Sequence, residues 1–205
     1  MGYSSGSAIA SAIASPPMVP HAFAPDAMTS GEEIVVRDAR ADERDAIRKV
    51  TLAAYEQYAT IMASSAWVGL RHALATALTI GGGAQRIVAE KASVVVGSVL
   101  LFPPSTNAYG GIAATAPWPE IRLLAVAPTA RGLGVGRLLI DECIRRARVS
   151  GADAIGLHTS PSMREAIRLY ESFGFTRDPD LDIHIEGAEP IQAYRLSLSA
   201  RLPQA

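Results

Sequence analysis

A chain of 205 residues with 49% hydrophobic content can bury one good core and suits a single domain with an appendage. A formal net charge of -1 creates no basic field, which removes the usual reason to expect nucleic acid as a partner. The single Cys143 rules out an intrachain disulfide and fits a reducing cytoplasm, and no apolar run reaches the length of a membrane span.

Residues 1–30 are rich in Ala, Ser and Pro, contain no Lys or Arg and carry one charge, Asp26, so they read as a disordered tail before a domain spanning 31–205. Ala22-Phe23-Ala24 resembles a signal cleavage site, but the stretch before it lacks a positive charge and is interrupted by Ser and Pro. Gly6 stands where a myristoylation motif needs Ser or Thr.

The folded part begins with a short strand at Ile34, Val35 and Val36. A helical period follows over 41–58 with Asp42 as N-cap, and a second over 64–78 on Trp67, Leu70, Leu74 and Leu78, ended by Gly81-Gly82-Gly83. Two strands, 86–90 and 94–102, flank the small turn Lys91-Ala92-Ser93 as a hairpin. The connection 103–119 holds four prolines and Trp118, and is either a substrate-side loop or a surface insert. A strand over 120–126 stops at Pro128, and a helix over 134–149 ends at Ser150-Gly151. Strand 154–159, helix 162–173 stopped by Gly174, and strands 182–185 and 193–199 complete the chain. This order, with strands clustered rather than strictly alternating with helices, predicts one α+β sheet layered with helices.

Between strand 120–126 and its helix, Gly132, Gly134 and Gly136 alternate with larger residues from Arg131 to Arg137. Glycine-rich backbone at a helix N-terminus gathers free N–H groups and the positive end of the helix dipole, an arrangement that cradles anions. A Walker loop would need Lys-Ser/Thr after Gly136, where Arg137 and Leu138 stand. The dinucleotide pattern would need glycine at 137 or 139, occupied by Arg137 and Leu139.

Arg131, Gly134 and Gly136 do fill the Arg/Gln-x-x-Gly-x-Gly/Ala signature of acetyl-CoA-dependent N-acetyltransferases. A second block, 162–175, is similar to Asn-x-x-Ala-x-x-Leu-Tyr-x-x-x-Gly-Phe of the same proteins: Ala166, Leu169, Tyr170, Gly174 and Phe175 match, and Met163 replaces the asparagine. Over about 34–198 the chain therefore resembles the GNAT superfamily. The resemblance implies α/β/α layers around a mixed, mostly antiparallel sheet with one splayed pair of strands. It further implies acetyl-CoA as co-substrate and a primary amine attacking it directly in a ternary complex.

The resemblance also assigns roles. Main-chain groups of Leu124, Ala125 and Val126 would hydrogen-bond the cofactor, with the Val126 amide on the acetyl oxygen. The diphosphate would lie on Arg131, Gly132, Leu133, Gly134, Val135, Gly136 and Arg137. Tyr170 would protonate the departing thiolate, the alternative being a core tyrosine. Glu120 would deprotonate the amine, the alternative being a solvated strand-end carboxylate, and His158 ranks behind it as base. Tyr55, Tyr58, Trp67 and Trp118 are candidate walls for the acceptor, a small-molecule or peptide amine, and each of them is equally readable as core or surface. Cys143 lies on the apolar helix face, which argues against an acetyl-enzyme, and His21, His72, His158 and His184 lack metal-ligand spacing, so no metal is expected. A homodimer through the C-terminal strands is an analogy with the fold. The different class to set against catalysis is an inactive acyl-CoA-binding sensor or regulatory partner, for which Met163 gives a footing.

Overall fold

Strands β1 (Val35–Asp38), β2 (Gln85–Lys91), β3 (Val94–Phe102), β4 (Glu120–Val126), β5 (Ala154–Thr159), β6 (Thr176–Arg177) and β7 (Gln192–Ser197) form one sheet, ordered β1-β2-β3-β4-β5-β7-β6. It is seen in a computed structural model that describes residues 33–61, 64–79, 83–105, 115–184 and 189–199. Every neighbouring pair is antiparallel except β4 and β5, which are parallel. The helices are α1 (Arg44–Tyr55), α2 (Ser64–Thr79), α3 (Val135–Val149) and α4 (Arg164–Ser172). The expected tail at 1–30, Gly81-Gly82 and the middle of the 103–119 connection lie outside the described residues.

Alternation along β3 assigns the two layers of helices. Val99 and Leu101 join Val135, Leu139, Ile140 and Cys143 of α3 in the main core. Ser98 points the other way and meets Thr51 of α1, with the hydroxyl oxygens 3.3 Å apart. Gly97 lets α3 approach closely, because a Cβ there would come within 2.6 Å of Val135 Cγ1. The result is the α/β/α sandwich that the resemblance implies.

Three local readings are corrected. The helix expected over 41–58 is α1 between two 3-10 turns, Ala41–Glu43 and Glu56–Thr60. Asp42 is not its N-cap. Glu43 takes that part of the chain in hand: its carboxylate accepts the Arg40 N–H at 2.6 Å and pairs with Arg37 at 2.7 Å. The Arg37 hydrogen bond outweighs burial and pulls the Glu43 carboxyl down to about 2. The strand expected at 182–185 is a single bridge between Ile183 and Ile191, while β6 forms earlier and is too short to produce a periodic signal.

The β2–β3 turn is built from Ala92 and Ser93, both at positive φ (48° and 63°). That is the shape of a two-residue type I′ turn, which asparagine and glycine adopt with least strain. Ala92→Asn combined with Ser93→Gly is expected to stabilise the fold by about 1 kcal/mol, raising Tm by roughly 2–4 °C in calorimetry. An unchanged or lower Tm would show that the turn carries no such strain.

Candidate active site

The site starts where the sheet opens. β4 and β5 pair only at Glu120 with Gly156 and Ile121 with Leu157. On its other side β4 pairs Ala125 with Ser98 and Arg122 with Leu100, so Leu123 and Leu124 together face one residue of β3. Leu123 absorbs this bulge at φ 53°, a left-handed conformation that leucine rarely adopts. Past the bulge, Ala127 N–H donates to Val96 O at 2.8 Å. Alternation along the strand then turns the main-chain groups of Val126 away from β3, into the gap that β5 leaves.

A cleft of about 390 Å³ occupies that gap. One end is the glycine turn. Gly132 and Gly134 hold φ of 76° and 79°, which a side chain would strain, and Gly134 is the N-cap of α3. At Gly136 a Cβ would come within 3.1 Å of Leu169 Cδ2, so glycine here keeps α3 against α4. The Arg131 guanidinium donates to Ala54 O at 3.1 Å and ties the turn to the end of α1. Arg137 donates to Ser172 Oγ at 3.1 Å and lies over the Phe173 ring. These residues fit a diphosphate on a physical ground: a helix of 15 residues begins in a loop without side chains at the positions where an anion must approach.

Three tyrosines line the middle of the cleft. Tyr55 closes α1, Tyr58 lies in the following 3-10 turn with its ring 5.9 Å from that of Tyr55, and Tyr170 reaches in from α4. Tyr170 is 7% exposed and meets Phe175 edge-on at 6.0 Å. Burial, reinforced by the neighbouring Tyr55 and Tyr58, pushes its phenol well above the usual tyrosine value and keeps it protonated. Burial does the same for Tyr55. Met163 lines the cleft at the start of α4.

Glu120 is not a solvated strand-end carboxylate. It is buried, and its Oε1 lies 2.8 Å from His158 Nδ1, while His158 Nε2 lies 2.9 Å from Leu181 O. His158 lines the cleft and Glu120 stands behind it. Both ring nitrogens face acceptor oxygens, and the doubly protonated imidazolium satisfies both. Burial lowers the imidazole pKa, but the Glu120 hydrogen bond and charge outweigh it and hold His158 above its ordinary value, against a small opposing effect of Arg122.

This pair gives a pH signature. A raised histidine pKa contributes stability that is complete below about pH 6.5 and is lost as pH rises through the higher folded value. The Tm difference between the parent protein and Glu120→Gln is therefore expected to be largest near pH 6 and to shrink as pH rises through the raised imidazole value. A difference that grows with pH would contradict the charged pair.

Of the residues expected at the site, Tyr55, Tyr58, Leu124, Val126, Arg131, Gly132, Gly134, Val135, Gly136, Arg137 and Tyr170 surround this one cleft. Leu133 is 48% exposed beside it. Ala125 is corrected: it is buried and pairs with Ser98, so its main chain serves β3 and does not face the gap. Trp118 is corrected too. Its indole covers Gly156, where a Cβ would fall 2.6 Å from Nε1, and stacks with Arg195 beside a separate hollow. Trp67 is also absent from the cleft lining and lies near Arg71 on α2. Sequence reasoning missed Arg122, which lines the cleft; its place two residues after Glu120 on the same strand face was the available signal. Cys143 is fully buried in the core and its thiol is pushed up to about 12 by that burial, the state of an inert thiol.

Among the described residues no group of His, Cys, Asp and Glu has metal-binding geometry, and no helix is long and apolar enough to cross a membrane.

Comparison with known proteins agrees with this geometry. The mycothiol acetyltransferase of Thermomonospora curvata is 44% identical over 61 residues, which are 30% of this chain and 20% of that protein, so the chain spans only a small part of this curated relative. A GNAT family acetyltransferase from Brucella melitensis, solved in complex with acetyl-CoA, superposes with a TM-score of 0.53 at 22% identity, covering 84% of this chain and 93% of that one. The PaiA N-acetyltransferase of Thermoplasma acidophilum, solved with coenzyme A, gives 0.60 at 14% identity, covering 80% and 99%. At such identities the likeness is one of fold. The sequence profile of the acetyltransferase (GNAT) family matches residues 49–175, a segment that runs from α1 through the bulged strand and the glycine turn to Phe175, and the chain belongs to that family.

Proposed function

We propose that this chain transfers an acetyl group from acetyl-CoA to the primary amine of a small-molecule or peptide acceptor, by direct attack with both substrates in the cleft. The observation that carries the reading is the bulge at Leu123. Past it, the Val126 N–H faces the gap between β4 and β5, in the cleft that the glycine turn also lines. In this proposal the α3 N-terminus holds the diphosphate and the Val126 N–H donates to the thioester carbonyl oxygen as charge develops there. Holding amine and thioester in one cleft supplies the proximity that such a transfer needs.

Tyr170 is the proposed general acid. Burial keeps the phenol protonated and makes complete transfer to a free thiolate uphill. In this proposal the O–H therefore donates to the sulfur while the C–S bond breaks and charge builds there, and solvent returns the proton afterwards. Glu120 is the proposed base and works through His158, which stands between it and the cleft. Above its raised pKa the imidazole keeps its Nδ1 proton on Glu120. In this proposal its unprotonated Nε2, which no longer has a hydrogen to share with Leu181 O, turns to take the amine proton while the carboxylate stabilises the cation so formed. Direct transfer is favoured over an acetyl-enzyme because Cys143 is sealed in the core.

Calorimetric titration with acetyl-CoA, run beside a thiol-release assay over a panel of amines, tests the reading. Binding with amine-dependent thiol release supports it. Binding without release supports an acyl-CoA sensor, and no binding defeats both.

A further inference from the structure

Three arginines line the cleft, Arg122, Arg131 and Arg137. Arg131 and Arg137 belong to the glycine turn, and each is tied to a helix there. Arg122 stands on another wall of the cleft. It projects from β4 on the sheet face that carries Glu120, opposite the α3 layer, and its guanidinium lies 5.3 Å over the Phe102 ring. From there its charge is felt by the phenol of Tyr55 and by the imidazole of His158. It is therefore the arginine of the acceptor side, next to the groups proposed to receive the amine proton.

A guanidinium holds a fixed positive charge and five N–H donors in a planar fork that matches a carboxylate. Stacked on an aromatic ring in a cleft wall, it keeps one orientation. Such a cation repels an ammonium group and attracts a carboxylate. Resting on the acetyltransferase reading above, we infer that the acceptor is an amine bearing a carboxylate a few bonds from its nitrogen, the chemistry of an α-amino acid, and that Arg122 binds the carboxylate.

The arrangement has a consequence for the amine itself. With the carboxylate paired to Arg122, its negative charge no longer favours the neighbouring ammonium as strongly, which eases loss of the proton before attack.

The test compares α-amino acids with their carboxamides and with the corresponding decarboxylated amines. Thiol release is followed at saturating acetyl-CoA, and kcat/KM is expressed per neutral amine so that differences in amine pKa cancel. The amino acids are expected to exceed both analogues by about 10- to 100-fold. Arg122→Gln is expected to erase that preference, and Arg122→Lys to keep part of it. Calorimetric titration of each variant with acetyl-CoA establishes that the fold and the cofactor side are intact. Equal rates for amino acid and carboxamide in the parent protein would overturn the inference and leave the transferase reading standing, as would an Arg122→Gln variant that slows all acceptors alike. Absence of turnover with every amine would overturn the transferase reading, and this inference with it.

Discussion

Tyr170→Phe is expected to lower kcat by about 10²- to 10⁴-fold, while the acetyl-CoA dissociation constant and the Tm stay close to those of the parent protein. The substitution removes one hydroxyl and keeps the ring that packs against Phe175 in the core. A merely structural tyrosine would therefore lose little. As a general acid it would lose the only step for which the phenol proton is needed, the neutralisation of the leaving thiolate. The burial that keeps this phenol protonated predicts that the ratio of Tyr170→Phe to parent activity stays flat as pH rises, because the parent phenol does not titrate over that range. Unchanged kcat, measured by thiol release at saturating substrates, would return Tyr170 to the core.

A comparable loss on the binding side is expected at Gly134. Its φ of 79° is forced by the turn into α3, and valine is among the residues least able to adopt it. The strain costs about 1–3 kcal/mol, and the chain is expected to relieve it by re-shaping the turn. That displaces the N–H groups at the start of α3, and acetyl-CoA is expected to bind Gly134→Val at least about 100-fold more weakly. Apart from its chain neighbours, no atom of the described residues lies within 4 Å of a Cβ at this position, so for Gly134→Ala the loss traces to backbone strain and not to a packing clash. Calorimetric titration of Gly134→Val and Gly134→Ala provides the check, with a smaller effect for alanine. Affinity equal to that of the parent protein would detach the diphosphate from the glycine turn.

Legibility in the sequence followed the range of the interactions. Strands β3, β4 and β5 and helix α3 were readable because apolar period and breakers act within a few residues, and the two motif blocks survive as local patterns. The bulge was not readable. Nothing about a leucine at 123 announces φ 53°; the mismatch in pairing between β3 and β4 imposes it. The Glu120–His158 contact likewise exists because the parallel register sets Glu120 against Gly156, two residues from the histidine, although the residues are 38 apart in the chain. Trp118 looked like a wall of the site by its loop, and the absence of a side chain at Gly156 draws it instead onto the outer part of β5. The glycine turn was legible as an anion cradle, whereas the side-chain ties of Arg131 to α1 and Arg137 to α4 are tertiary facts.

Direct transfer in the cleft is tested most closely by a quenched single turnover with isotope-labelled acetyl-CoA, followed by mass spectrometry of both protein and acceptor. Labelled acetyl is expected to appear on the amine in step with thiol release, with no label on the protein at any time and the thioester left intact when the amine is omitted. Label accumulating on the protein before it reaches the amine would contradict direct transfer.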